Sequence, residues 1–187
     1  IVLLDVGHGS CTVLMDCGRM AVIDAASGVE LLEFLRLRNI DRLHLLLLTH
    51  ADADHIAGAS SLLLSDDCIV EQLYVNTDTP RDSQAWGELR SAIRYASERK
   101  GTRTHAELTS ALTGTLDVGT VQVEVLAPSP EDALSGPGGR DLAGRGITSN
   151  AMSAVIRLRH EAQGIILLCA DVFRALGRHT RGEWGDL

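Results

Sequence analysis

Aromatic residues are scarce in this chain: two each of Trp, Tyr and Phe, 3% of the total. The core is therefore expected to be aliphatic, and no platform is offered for stacking the bases of a single strand. Positive charge is also short, with 17 Lys and Arg against 25 Asp and Glu and a net charge of −8. That disfavours non-specific binding of nucleic acid by the bare domain. It does not exclude a phosphate substrate, because bound metal would supply local positive charge. The four cysteines, Cys11, Cys17, Cys68 and Cys169, are scattered with no C-x-x-C pair. A disulfide scaffold is excluded, a reducing (cytoplasmic) setting is expected, and each cysteine reads as a small buried residue. No apolar run approaches the ~20 residues of a membrane span, and no signal peptide is expected in this stretch.

What is present is a chain of 187 residues, 45% of them apolar, with 18 glycines. That suits one globular domain with a sizeable core and many turns, covering 1–187. The chain starts at Ile1 inside a strand-like run, so a fragment of a longer protein with additional domains is expected.

Strands are expected over Cys11–Asp16 and Met20–Asp24 around the turn Cys17-Gly18-Arg19, then over Leu43–Thr49, Ile69–Val75, Thr120–Leu126, Met152–Leu158 and Gly164–Asp171. Helices are expected over Val29–Arg38, Ile56–Leu64 and Ser83–Lys100, the last stopped by Gly101. The segment Pro128–Ser149 is rich in Gly, Pro, Ser and charge and reads as a mobile flap beside a site or a plain insertion. Asn76–Asp82 reads as a polar loop, His44 as structural, and His105 and His160 as surface residues, His160 in the turn between the last two strands. Arg90, Arg94, Arg99 and Lys100 read as solvated helix charges.

The most informative stretch is Leu45-Leu46-Leu47-Leu48-Thr49-His50-Ala51-Asp52-Ala53-Asp54-His55-Ile56-Ala57-Gly58. A buried strand ends in two histidines and two aspartates within six positions. Imidazole and carboxylate at this density suit a divalent ion such as zinc or manganese. Asp54 and His55 are adjacent and are expected to point apart, which suits two ions side by side better than one. Asp5-Val6-Gly7-His8-Gly9-Ser10 brackets His8 with glycines that permit tight turns close to a site.

Thr49 to Gly58 resembles the second motif of the metallo-β-lactamase superfamily, T-H-x-H-x-D-H-x-G-G, with Asp52 for the usual His and Ala57 for the usual Gly. The aspartate form is similar to the branch that contains the hydrolase domain of the competence protein ComEC. Asp5 to Ser10 resembles that branch's D-V-G-Q-G-D, Asn150-Ala151-Met152-Ser153 its N-x-x-S, and Leu168-Cys169-Ala170-Asp171 its L-L-x-G-D. The resemblance implies a four-layer αββα sandwich, C-terminally incomplete because a late H-H-G-S motif is missing. It implies two divalent ions, zinc or manganese. His50, Asp52 and Asn150 would surround one, Asp54 and His55 would hold the other, and Asp171 would bridge. Asp24 would orient the His50–His55 loop from behind, and Ser153 and His8 could contact substrate.

The implied function is a metal-dependent hydrolase, a phosphodiesterase or nuclease acting on DNA or another nucleic acid, with Asp54 and His55 catalytic. Two alternatives stand beside it. One is a small-molecule metallo-hydrolase for a lactone, β-lactam, thioester or small phosphodiester. The other is a binding or effector domain that keeps the fold without catalysis.

Overall fold

The structure is a computed structural model that describes residues 1–26, 28–76, 83–112, 114–160 and 164–169, the last segment and Gly28 by backbone alone. β1 (Val2–Leu3), β2 (Thr12–Asp16) and β3 (Arg19–Ile23) open the first sheet as an antiparallel meander. The β2–β3 turn is Cys17-Gly18, with φ of +48° and +74°, the paired left-handed geometry that matches strand twist in a two-residue hairpin. Cys17 is exposed there, whereas Cys11 and Cys68 are buried as expected.

From β3 onward the strands run parallel and each crossover carries a helix. The order is α1 (Gly28–Leu37), β4 (Arg42–Leu48), α2 (Ala53–Leu64), β5 (Ile69–Val75), α3 (Gln84–Lys100) and β6 (Arg103–His105). The six strands stand in sequence order across the sheet. Both faces of β4 are covered, which is why it reads as an unbroken leucine run. Leu46 and Leu48 pack under the helices with Leu31 and Leu35 of α1, Ile56 and Leu62 of α2, and Leu89 and Ala92 of α3. Leu45 and Leu47 point the other way, into the space between two sheets.

The second sheet contains β7 (Val121–Ala127), β8 (Val155–His160) and β9 (Gly164–Cys169), all antiparallel. Val121, Val123 and Val125 alternate inward with Ile156 and Leu158 and meet Leu45, Leu47 and Tyr74. The Asp16 carboxylate ties the sheets at one end, accepting from the Thr120 backbone N–H at 2.6 Å and its hydroxyl at 2.8 Å. Those bonds hold its carboxyl below the usual carboxylate range, the backbone bond most of all. The result is the α/β sandwich expected. Among the described residues the helical layer lies on one face of the first sheet.

Three local expectations need correction. β6 went unread because three residues are too few to show alternation. It makes His105 a half-buried strand end stacked on Tyr74, with ring centroids 4.3 Å apart, rather than a surface residue. The segment after Pro128 is not featureless. It holds α4 (Pro130–Ser135), capped by the Ser129 hydroxyl, and a turn in which Asp141 accepts from the Ala143 and Arg145 backbone N–H groups. His160 is exposed, but it closes β8 opposite Val121 and Gly164 instead of lying in the turn.

Candidate metal centre

In a parallel sheet the carboxyl ends of the strands share one edge, and sites gather there. Asp24, Thr49 and Asn76 each follow directly on β3, β4 and β5. The leucine run of β4 therefore delivers His50 to that edge, and α2 begins three residues later. Asp52 is the residue before α2, with extended backbone (φ −75°, ψ 145°), and its side chain does not cap the helix. Its backbone carbonyl does, accepting from the N–H groups of His55 and Ile56.

The first turn of α2 brings Asp54 and His55 back over His50. One donor atom of each of His50, Asp54 and His55 lies within 4.8 Å of the others, in a group where both histidines are buried and Asp54 is half-buried. The expectation that Asp54 and His55 diverge is therefore not met. The reason is Asp24, which draws the inner nitrogen of His55 into the core and turns the outer one toward Asp54.

Asp24 is 2% exposed and sits at φ +59°, a left-handed turn that short polar residues tolerate. Its carboxylate accepts from the Thr49 backbone N–H at 2.8 Å, from the Thr49 hydroxyl at 2.8 and 2.9 Å, and from His55 Nδ1 at 2.7 Å. The Thr49 oxygen lies 3.3 Å from His50 Nδ1. With its one hydrogen given to Asp24, that oxygen accepts from His50. One buried carboxylate thus orients both imidazoles, His55 directly and His50 through Thr49. Nε2 then carries the lone pair in each ring. It lies 3.9 Å from Asp54 Oδ2 in His55 and 3.5 Å from Asp52 Oδ2 in His50. The ring centroids are 3.9 Å apart. Two outward lone pairs and a carboxylate make a donor set suited to one divalent ion.

The Gly7–Gly9 loop lies over the cluster. Ser10 donates to the Asp54 carbonyl at 3.1 Å, and His8 Nε2 reaches within 3.6 Å of Asp54 Oδ2 while its side chain is 94% exposed. Asn150 opens a single 3-10 turn, Asn150–Met152, and the Ala154 N–H after it donates to the Thr49 carbonyl at 2.9 Å. Ser153 is fully buried, and its hydroxyl has no hydrogen-bond partner among the described residues. Asp52 lies beside His50 but outside the group of three. Asp171 lies outside the described residues.

Two residues with a clear place here were missed. Thr49 was read only as part of a motif. Asn76 was read as the start of a polar loop, yet it is 5% exposed and donates from Nδ2 to the carbonyls of Thr49, at 2.9 Å, and Met152. An asparagine directly after a buried strand was the available signal.

Residues 4–71, which include Asp24 and the whole His50–His55 segment, match the family model described as the metallo-beta-lactamase superfamily. No curated protein matches the chain. Among solved structures, the metallo-beta-lactamase fold protein YhfI from Bacillus subtilis is similar over 89% of this chain and 57% of its own, with TM-score 0.51 and 12% identity. That likeness is one of fold. Igni18, described as a novel metallo hydrolase from the hyperthermophilic archaeon Ignicoccus hospitalis, aligns with 86% of this chain and 56% of its own at 15% identity and TM-score 0.41. The chain thus spans little more than half the length of either structure. Residues 4–71 thus resemble the metallo-beta-lactamase superfamily, the fold is shared with a protein of that fold, and the His50–Asp54–His55 cluster offers the donors for a metal ion.

Proposed function

We propose that residues 1–187 form one metal-dependent hydrolase domain centred on His50, Asp54 and His55, with phosphodiesters as its substrate class. The observation that carries the reading is the pair of imidazoles aimed by one buried carboxylate, Asp24, at a third donor, Asp54. A bound ion needs its imidazoles held in this way. Zinc and manganese both fit the nitrogen and carboxylate donors. A divalent ion held there would supply Lewis acidity and lower the pKa of a water toward neutrality.

Asp54 holds the attacking water and accepts its proton. His8, exposed at the mouth of the site, contacts the substrate. The sequence resemblance, which groups His50 with Asp52 and Asn150 at one ion, Asp54 with His55 at the other, and has Asp171 bridge, extends the proposal to a second ion. It also supports the phosphodiester class. The net charge of −8 favours a small phosphodiester or a nucleic acid steered by other domains over tight duplex binding by this domain alone. The scattered cysteines support a reducing, cytoplasmic setting. Among the described residues no helix is long and apolar enough to cross a membrane.

The test is metal content by elemental analysis on protein purified without chelators. It is followed by turnover of a chromogenic phosphodiester and of a chromogenic lactam with manganese or zinc. Bound metal, phosphodiester turnover and its loss in D54A and H55A are the expected results. Lactam turnover alone would move the substrate class to small-molecule hydrolysis, and no bound metal would leave a binding domain on a hydrolase fold.

A further inference from the structure

Asn76 stands between the segment that starts the metal cluster and the turn that carries Asn150 and Ser153. Its backbone N–H donates to the Leu48 carbonyl at 3.0 Å, which fixes its main chain against the end of β4. Its side-chain nitrogen donates to the carbonyls of both Thr49 and Met152. Two carbonyl oxygens against one terminal atom identify that atom as the NH2 group, whose two hydrogens form a planar fork. Aspartate has no donor to offer there, and leucine fills the same space with none.

Thr49 is consequently gripped on every polar group. Asp24 takes its N–H and its hydroxyl, and its carbonyl accepts from Asn76 and from the Ala154 N–H. His50 is the next residue along the chain. A rotation of the Thr49 peptide would swing the His50 ring away from Asp54 and His55, and Asn76 opposes that rotation. The Met152 carbonyl lies in the turn opened by Asn150, so the same amide holds this turn against the strand end.

We infer that Asn76 is a positioning residue of the metal centre, holding the Thr49–His50 segment and the Asn150–Ser153 turn together and so setting the donor geometry. The inference rests on the metal reading proposed above. Groups that orient ligands from behind typically change metal affinity ten- to a hundred-fold when removed.

Cobalt(II) titration of the whole chain tests it, read by the visible absorption band and by competition with a chromophoric chelator. The wild-type protein is expected to give a cobalt band. N76L and N76D are expected to bind cobalt about ten- to a hundred-fold more weakly, with the band shifted. A wild-type band that both variants reproduce at unchanged affinity overturns this inference alone. Absence of a band in the wild type overturns the metal reading and this inference with it. A measurement on the unaltered protein covers the case in which the variants do not fold. Zinc is expected to slow hydrogen exchange of the Asn76 side-chain amide and of the Ala154 N–H. Exchange at both unchanged by saturating zinc overturns the inference.

Discussion

A β-carbon built at Gly9 would lie 2.0 Å from the Asp54 carbonyl oxygen and 2.5 Å from the Ala26 β-carbon, at a φ of +109°. At Gly7, with φ +72°, it would meet nothing within 4 Å. Backbone strain alone costs about 1–3 kcal/mol at such positions. Gly9→Ala is therefore expected to destabilise more than Gly7→Ala, because it adds a backbone clash, and urea titration of the two variants checks the order. Asp24→Ala leaves the Thr49 N–H and hydroxyl and His55 Nδ1 without their buried acceptor. A loss of about 1.5–3 kcal/mol is expected in metal-free protein, the worth of a bond to a charged group, with chelator competition showing weaker metal binding. At this scale Asp24, the candidate donors between His50 and His55 and the glycine bracket were legible as candidates, since each lies within a short motif. Asn76 and the carbonyl role of Thr49 were hidden because Met152, which Asn76 bonds, stands 76 positions beyond it, and Ala154, which bonds the Thr49 carbonyl, lies just after the same distant turn.

Among the elements, β4 and β5 are joined outside the core by a polar cluster. Glu71 accepts from Arg42 at 2.9 Å and bonds His44 Nδ1 at 3.0 Å, and His44 Nε2 lies 3.1 Å from Arg19. The structural reading of His44 thus holds. The Arg42 bond, followed by that of His44, keeps the Glu71 carboxyl below its ordinary 4.5. A carboxyl lowered on folding contributes stability that is full above the unfolded value and is lost as pH falls through the folded one. Glu71→Gln is expected to flatten the acid limb of the stability curve below about pH 4.5, measured by urea midpoints across pH. Ser83→Ala is expected to cost about 1 kcal/mol through loss of the α3 cap to the Trp86 N–H. α3 was legible to within a residue because its apolar stripe repeats and Gly101 ends it at φ +74°. α4 was overlooked although Ser129-Pro130-Glu131-Asp132 carries a cap, a first-turn proline and first-turn acids. It buries no residue, so no apolar stripe announced it.

For the whole molecule, β4 is a strand of leucines shared by two cores. Leu46 packs in one and Leu47 in the other, both fully buried. Leu46→Ala and Leu47→Ala are each expected to cost about 2–5 kcal/mol. Because one strand belongs to both cores, both variants are expected to lower the same urea transition with its slope unchanged. Two separate transitions would show that the layers unfold independently. The layered architecture was foreseen through family resemblance and through the two-faced burial of the leucine run. The pairing of sheets by Asp16 and Thr120 was not, since a half-buried aspartate in a hairpin carries no mark of a partner 104 residues away.

The site is also spread along the order of synthesis. His50, Asp54, His55, Asp24 and Asn76 all belong to the first half of the chain, and the turn that Asn76 grips is 76 positions later. At about 5–20 residues per second, a ribosome needs on the order of 4–15 s to cover that interval. During those seconds the nascent chain has made every member of the donor cluster but not the turn that Asn76 holds. The candidate donors thus precede the second sheet in order of synthesis, and the contacts around them close only when the Asn150–Ser153 turn arrives.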